Sequence, residues 1–276
     1  MTQTLLDDTV IPPIGLGTWQ LVGEEGYRAV RTALALGYRH LDTASAYGNE
    51  EIVGRAVRDA VRAGEVTREE LFITTKAWRD EQGSAETPAA CRRSLERLGL
   101  EYVDLYLVHW PHARLGRYVA AAEAIVGLRE EGLVRHFGVA NFPAEELNEV
   151  VEKVGVVPAT NQVELHPGFS QAPLRVLHGR LGVRSVAWSP LGRGQLLAHP
   201  LLVGIADEVG ATPAQVALRW ALDLGCVVIP RSGHPERLAE NLAAGEVSLS
   251  EQQILAITAL DAAKGMGRLF EDPRYF

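Results

Sequence analysis

Four side chains able to move protons recur at one kind of position in this sequence, the C-terminal end of an apolar run. Asp42 closes Arg39-His40-Leu41-Asp42, and Tyr47 follows it in the next turn. Lys76 closes Leu71-Phe72-Ile73-Thr74-Thr75-Lys76, and His109 closes Val103-Asp104-Leu105-Tyr106-Leu107-Val108-His109. If these runs are parallel strands of a barrel, their ends meet on one face, where the reacting groups of such folds gather. A phenol, with a free pKa of about 10, is a poor acid by itself. A nearby ammonium favours the phenolate and so lowers that pKa, and a carboxylate can hold the ammonium charged and oriented. Lys76 and Asp42 are the pair for this. Tyr47 could then protonate a carbonyl oxygen as a hydride reaches the carbon, with His109 orienting that oxygen by a hydrogen bond. Each residue alone also has a structural reading: an ion pair in a barrel mouth, a packing aromatic, a satisfied buried imidazole. The convergence of all four on one rim favours catalysis.

The elements that would bring them together alternate strand and helix about eight times, at a spacing of roughly thirty residues, the length of a βα unit. Strands are expected near 14–18, 38–42, 71–76, 103–109, 134–140, 159–165, 185–189 and 226–231. Amphipathic helices are expected at 24–36, 49–63, 85–98, 118–131, 144–154, 171–181, 212–224 and 235–243. Pro213 and Pro235 fall in first helical turns, where a missing N–H costs little, and Gly132 suits a left-handed cap of the fourth helix. The residues to about Pro13 read as a small β-hairpin plugging the barrel bottom. An extra C-terminal helix (249–260) follows the eighth unit, and Lys264–Phe276 form a tail. No linker interrupts the pattern, so the sequence predicts one (β/α)8 TIM-barrel domain over 1–276. Gly15-Leu16-Gly17 begins like a dinucleotide fingerprint, but Gln20 stands at the third glycine and the helix starts late.

Bulk composition narrows the partners. With 276 residues, 30.0 kDa and 47% hydrophobic content, the chain suffices for a single large core. Its net charge of −8 argues against nucleic acid, whose phosphates need a basic surface. Cys91 and Cys226 suggest neither a disulfide framework nor a metal site. The start, Met1-Thr2-Gln3-Thr4, has no basic region followed by an apolar one, so no signal peptide is expected. No run of about 18 apolar residues suggests a membrane span. The expectation is a cytoplasmic protein. Glu130 and Glu131, Glu145, Glu146 and Glu149, and Glu236, Arg237 and Glu240 give three outer helices polar stripes, which predicts a monomer.

Two loops could hold phosphate, at the barrel positions that usually do so. After the seventh strand comes Ser189-Pro190-Leu191-Gly192-Arg193-Gly194, whose glycines could bring N–H groups against an anion, unless it is an ordinary glycine turn. After the eighth comes Arg231-Ser232-Gly233-His234-Pro235-Glu236-Arg237. Arg237 lies in a first helical turn, where the macrodipole disfavours a cation. An anion would resolve that conflict, with Arg231 and Ser232 clasping it from the other side. A solvated arginine paired with Glu236 or Glu240 is the alternative.

Leu41-Asp42-Thr43-Ala44 with Tyr47-Gly48-Asn49-Glu50, Thr74-Thr75-Lys76 and Leu107-Val108-His109-Trp110-Pro111 resemble the motifs of the aldo-keto reductase superfamily. Gly138-Val139-Ala140-Asn141-Phe142, Asn161-Gln162-Val163-Glu164-Leu165-His166-Pro167 and Ile229-Pro230-Arg231-Ser232 with Glu240-Asn241 continue the match in order. The compact loops and short tail are most similar to bacterial 2,5-diketo-gluconate-reductase-like and prostaglandin-F-synthase-like members. The resemblance implies an NADPH-dependent reductase of aldehydes and ketones that uses no metal. It makes Tyr47 the general acid, Lys76 and Asp42 its tuning pair, and His109 the group that positions the carbonyl. It implies that Asn141 and Gln162 hold the nicotinamide carboxamide, that Trp188 stacks on the ring, and that Asn241 contacts the adenine. Gly17, Thr18, Ser189, Leu191, Gly192, Arg231, Ser232, Arg237 and Glu240 complete the cofactor site it implies, and Trp19, Trp78 and Trp110 ring the substrate mouth beside Tyr47. Ala140 stands where the family often has serine, and Arg231 where lysine is common. Arginine's fixed fork suits a phosphate at least as well. Two other readings stay open: a nucleotide-sensing subunit on the same fold, and a Schiff-base aldolase using Lys76.

Overall fold

Each barrel strand buries both of its faces, because alternate side chains enter two different apolar layers. In the strand Phe72–Ala77 every residue is buried. Ile73 and Ala77 join the layer between sheet and helices, whereas Phe72 joins Leu105, Val186 and Val227 in the smaller inner cluster. Continuous burial of this kind belongs to a parallel sheet covered by helices outside and closed on itself inside. A computed structural model describes residues 3–5 and 7–275. The elements run β1 (Gln3–Thr4), β2 (Val10–Ile11), β3 (Leu16–Gly17), α1 (Gly23–Leu36), β4 (His40–Asp42), α2 (Glu50–Arg62), β5 (Phe72–Ala77), α3 (Glu86–Leu98) and β6 (Val103–Val108). They continue α4 (Tyr118–Glu130), β7 (Val134–Ala140), α5 (Ala144–Val154), β8 (Thr160–Glu164), α6 (Ala172–Leu181), β9 (Arg184–Trp188), α7 (Pro200–Val209), α8 (Pro213–Asp223), β10 (Val227–Val228), α9 (Pro235–Ala243) and α10 (Glu251–Thr258).

Strands β3 to β10 pair in chain order, all parallel. A parallel bridge between Ile14 and Val228 joins the two edges, and Gly17 N–H donates to Pro230 O at 3.1 Å. That approach requires glycine, since a Cβ at position 17 would lie 2.8 Å from Ile229 O. The expected hairpin is present as β1 and β2, with Gln3 opposite Ile11 and Thr4 opposite Val10. Leu5 and Ile11 pack into the same inner cluster as Phe72, Leu105 and Val227, so the hairpin closes the end at which the strands begin. Met1, Thr2 and Leu6 of that predicted segment, and Phe276 of the predicted tail, lie outside the described residues.

The eight predicted helices form close to their expected bounds, and the extra C-terminal one spans Glu251–Thr258, ending in a 3-10 turn. Helix α7 was not expected. Its Gly204 weakens any helical pattern, and its start is signalled only by Pro200 and by His199, whose Nδ1 accepts from Leu201 N–H at 3.2 Å. Helix α8 opens with a reciprocal cap: Thr212 Oγ1 accepts from Gln215 N–H, and Gln215 Oε1 from Thr212 N–H. The Thr212 hydroxyl donates to Glu240 at 2.5 Å, which ties the start of α8 to α9. Among the described residues no single helix is long and apolar enough to cross a membrane.

At Gly54 helix α2 lies directly against the end of α3, where an added Cβ would lie 2.0 Å from Leu98 O. Gly54→Ala should therefore lower stability by about 1–3 kcal/mol, despite alanine's better helix propensity. A urea midpoint that stays unchanged would show that the two helices can separate without cost.

Candidate active site

Lys76 is fully buried, so its ammonium must be answered by protein groups. It ends β5 and donates to Asp42 Oδ1 at 2.5 Å and to Thr43 O at 2.8 Å. Asp42 ends β4, and its other oxygen, Oδ2, accepts from Gln162 Nε2 of β8 at 2.7 Å. The carboxylate is thus held from both sides across the barrel. Burial alone would lower the pKa of Lys76, but the carboxylate of Asp42 and the phenol of Tyr47 outweigh it, and the net shift is upward. The lysine is a fixed cation.

Tyr47 sits in a 3-10 turn after β4, with the Lys76 ammonium 5.1 Å from its ring centre. Its pKa is raised, not lowered as the sequence suggested. Burial of the phenol is the largest cause, and the downward pull of Lys76 does not offset it. The phenol is therefore held in its protonated form, ready to donate. His109 packs edge-on to Tyr47 and to Trp78, with ring centres 5.7 and 5.0 Å apart. Burial, with the charges of Lys76 and His112 adding to it, holds the His109 pKa well below the ordinary histidine value. A neutral imidazole beside a protonated phenol can orient an oxygen by hydrogen bonds without competing for the proton.

Asn141 follows β7 in the left-handed region, at φ 63°. Its Nδ2 donates to His109 O at 3.0 Å, and its Oδ1 accepts from Trp188 Nε1 at 2.9 Å. One N–H and one lone pair of that carboxamide remain for a ligand. Gln162, engaged to Asp42 through one N–H, keeps its carbonyl. The two amides and the Trp188 ring thus surround the same strand ends as the proton-transfer group. Trp188 packs edge-on to Phe270 of the tail at 4.6 Å.

The phosphate loops divide. Gly192 and Gly194 use their N–H groups within the loop, donating to Ser189 O and Leu191 O at 2.8 Å each. In this form those amides do not face outward as the glycine pattern suggested. Ser189 and Arg193 also adopt left-handed backbone, at φ 49° and 54°. The Arg193 guanidinium lies 4.0 Å from the Phe270 ring centre and 5.6 Å from that of Trp19. On the other loop, Ser232 is buried, and its hydroxyl accepts from His234 N–H at 3.1 Å. Arg231 and Arg237 are exposed at the start of α9 and form no ion pair among the described residues. The alternative, Arg237 paired with Glu236 or Glu240, is not formed among the described residues, and Glu240 accepts from the Thr212 hydroxyl. Asn241 is buried on α9.

Thr18, after β3, donates its hydroxyl to Asp42 O at 3.0 Å, beside Gly17. Trp19 is half-exposed at the rim, and Trp78 and Trp110 are partly buried there, with Gln82 Nε2 donating to Trp110 O at 2.8 Å. Sequence reasoning missed Asn49 as a site-building residue. Its amide donates to Thr18 O and Leu21 O at 2.7 and 2.9 Å and accepts from Thr43 Oγ1 at 2.8 Å. It thereby fixes the Thr43 carbonyl that holds Lys76. Its signals were its place in the motif Tyr47-Gly48-Asn49-Glu50 and its position immediately before a helix. Phe270 and the reach of Arg193 were also missed, since neither carries a spacing signal.

The family model described as Aldo/keto reductase family matches residues 13–262. An aldo-keto reductase of Mycolicibacterium smegmatis is 47% identical over 273 residues, which cover 99% of this chain and 97% of that protein. The crystal structure of an aldo/keto reductase from Brucella melitensis superposes with a TM-score of 0.90 at 42% identity, covering 95% of this chain and 99% of that one. A mutant of Gox0644 crystallised in complex with NADPH superposes with a TM-score of 0.93 at 40% identity, covering 100% and 98%.

Burial lowers the pKa of His40 and of His178 to about 4, whereas an unfolded histidine titrates near 6.5. Between those values the unfolded chain takes up protons that the folded one refuses. Stability is therefore complete above pH 6.5 and is lost as pH falls toward 4, by on the order of 3 kcal/mol per histidine at most. Urea midpoints should drop steeply from pH 6.5 to 4.5; a flat profile across that window would contradict the neutral assignments.

Proposed function

The chain belongs to the aldo/keto reductase family, and on that premise we propose that it is an NADPH-dependent oxidoreductase that reduces small aldehydes and activated ketones to alcohols, with Tyr47 as proton donor. The observation that carries this reading is the buried Lys76 cation, held by Asp42 and Thr43 beside a protonated phenol and a neutral imidazole. When bound, the nicotinamide supplies hydride to the carbonyl carbon. The remaining work falls to this chain. His109 orients the carbonyl oxygen, Tyr47 gives it a proton, and Lys76 stabilises the phenolate left behind. Asp42 keeps Lys76 charged throughout. That fixed charge also argues against a Schiff-base aldolase, which needs a neutral amine. A pure nucleotide sensor would have no use for the acid.

The residues present fit the cofactor. The free amide groups of Asn141 and Gln162 match a carboxamide, and the Trp188 ring is tied to Asn141 through Nε1. Arg231, before α9, and Arg237, in its first turn, form no ion pair among the described residues, which suits them to bind the 2′-phosphate, with Asn241 of the same helix for the base. The mouth formed by Trp19, Trp78 and Trp110 is apolar beside one polar corner, which suits small or medium carbonyl compounds. For the quaternary state we propose a monomer. Exposed large apolar side chains such as Val61, Val176 and Leu255 lie on different helices, scattered rather than gathered into one patch.

Tyr47→Phe should reduce carbonyl reduction by about 10²- to 10⁴-fold while NADPH affinity stays near that of the wild type. Near-normal turnover of an aldehyde panel by this variant would remove Tyr47 from the mechanism. Replacing Arg231 or Arg237 with alanine should weaken NADPH on the order of ten- to a hundredfold and NADH hardly at all, as read by quenching of tryptophan fluorescence. Equal losses for both nucleotides would reduce the arginines to fold support. Sedimentation equilibrium should return the 30.0 kDa chain mass, and a mass twice that would refute the monomer.

A further inference from the structure

Asn141 holds an uncommon backbone conformation for a residue with a side chain, and such conformations persist only where the surroundings enforce them. Part of the enforcement is the barrel's own, since Asn141 N–H donates to Gln162 O of β8 at 2.8 Å, and part reaches it from the helical layer. Phe142, the next residue, is clasped at both backbone groups by the side chain of Asn161: its N–H donates to Oδ1 at 3.3 Å, and its O accepts from Nδ2 at 2.8 Å. That clasp fixes which way the Asn161 amide points, because a flipped amide would set two carbonyl oxygens against each other. The second hydrogen of Nδ2 then faces His178 Nε2 at 3.0 Å. His178 must accept there, so its proton sits on Nδ1, which donates to Ser185 Oγ at 2.8 Å. The ring is buried on α6 and both its nitrogens are satisfied in one tautomer.

We infer that His178 is a positioning residue of the cofactor site: through Asn161 and Phe142 it locks the turn that presents the Asn141 carboxamide. Adjacent residues of β8 divide the task. Gln162 points into the barrel to Asp42, and Asn161 points outward to α6, so one strand couples the catalytic carboxylate to a histidine in the helical layer. The neutral ring is consistent with this, since burial, with the Arg175 charge adding to it, lowers its pKa to about 4. The inference rests on the reading above that Asn141 meets the nicotinamide.

The test compares His178→Leu, which fills the space without an acceptor, with His178→Gln, whose carbonyl can take the place of Nε2. His178→Leu should weaken NADPH binding about tenfold with a smaller change in kcat, and His178→Gln should restore most of the affinity. In an Asn141→Ala background, His178→Leu should cost no further affinity. If His178→Leu does not fold, Ser185→Ala frees the tautomer and should weaken NADPH in the same direction, again only while Asn141 is present. Unchanged affinity in these variants, or an equal loss in the Asn141→Ala background, would overturn the positioning role and leave the cofactor reading intact. Undiminished affinity in Asn141→Ala alone would overturn both.

Discussion

A lysine ammonium removed entirely from water is the constraint on which this structure depends. Left unpaired, such a charge would cost several kcal/mol, and the group would shed its proton or open the fold. Asp42 and Thr43 prevent this, and neither acts alone. The second oxygen of Asp42 is held by Gln162 from the opposite side of the barrel. The Thr43 carbonyl is set by the Asn49 clasp on the loops after β3 and β4. Gln162 can reach Asp42 only if the sheet closes, and closure depends on the edge bonds of Gly15 and Gly17 to the β10 region. The barrel and the ion pair therefore sustain each other.

Asp42 also joins two halves of the proposed chemistry. One oxygen serves the proton-donating side through Lys76, the other the cofactor side through Gln162. A second chain of contacts runs from His109 O through Asn141 to Trp188, then to Phe270 and Arg193. The tail is anchored under this chain where Leu269 N–H donates to the buried Glu164 at 2.6 Å. The C-terminal segment thus belongs to the wall of the site, although its sequence carries no recognisable pattern.

The strand ends were legible because runs rich in apolar and β-branched residues stop at Lys76 and His109 and recur, with Leu41-Asp42, at the spacing of βα units. Helix bounds were legible from Pro213 and Pro235 in first turns and from Gly132, which has the left-handed φ of 75° expected of a cap. Helix α7 was hidden by Gly204 and by the glycine loop before it, where propensity and tertiary packing point in opposite directions. The direction of the Tyr47 shift was also beyond the sequence, since it is decided by how much water reaches the phenol, and burial is a property of the assembled rim. The self-bonded amides of Gly192 and Gly194 failed expectation for a similar reason: glycine permits an anion nest and a tight turn equally well.

The central claim is that a buried phenol, kept protonated yet supported by a fixed cation, delivers the proton. The pH dependence of kcat/KM for carbonyl reduction tests it most directly, measured beside Tyr47→Phe and Lys76→Met. The account predicts that wild-type activity persists through neutral pH and falls only on the alkaline side, where the raised phenol finally ionises. It predicts that this alkaline limb disappears from the residual activity of Tyr47→Phe and moves to higher pH in Lys76→Met. An alkaline limb near neutrality that survives unchanged in both variants would contradict it.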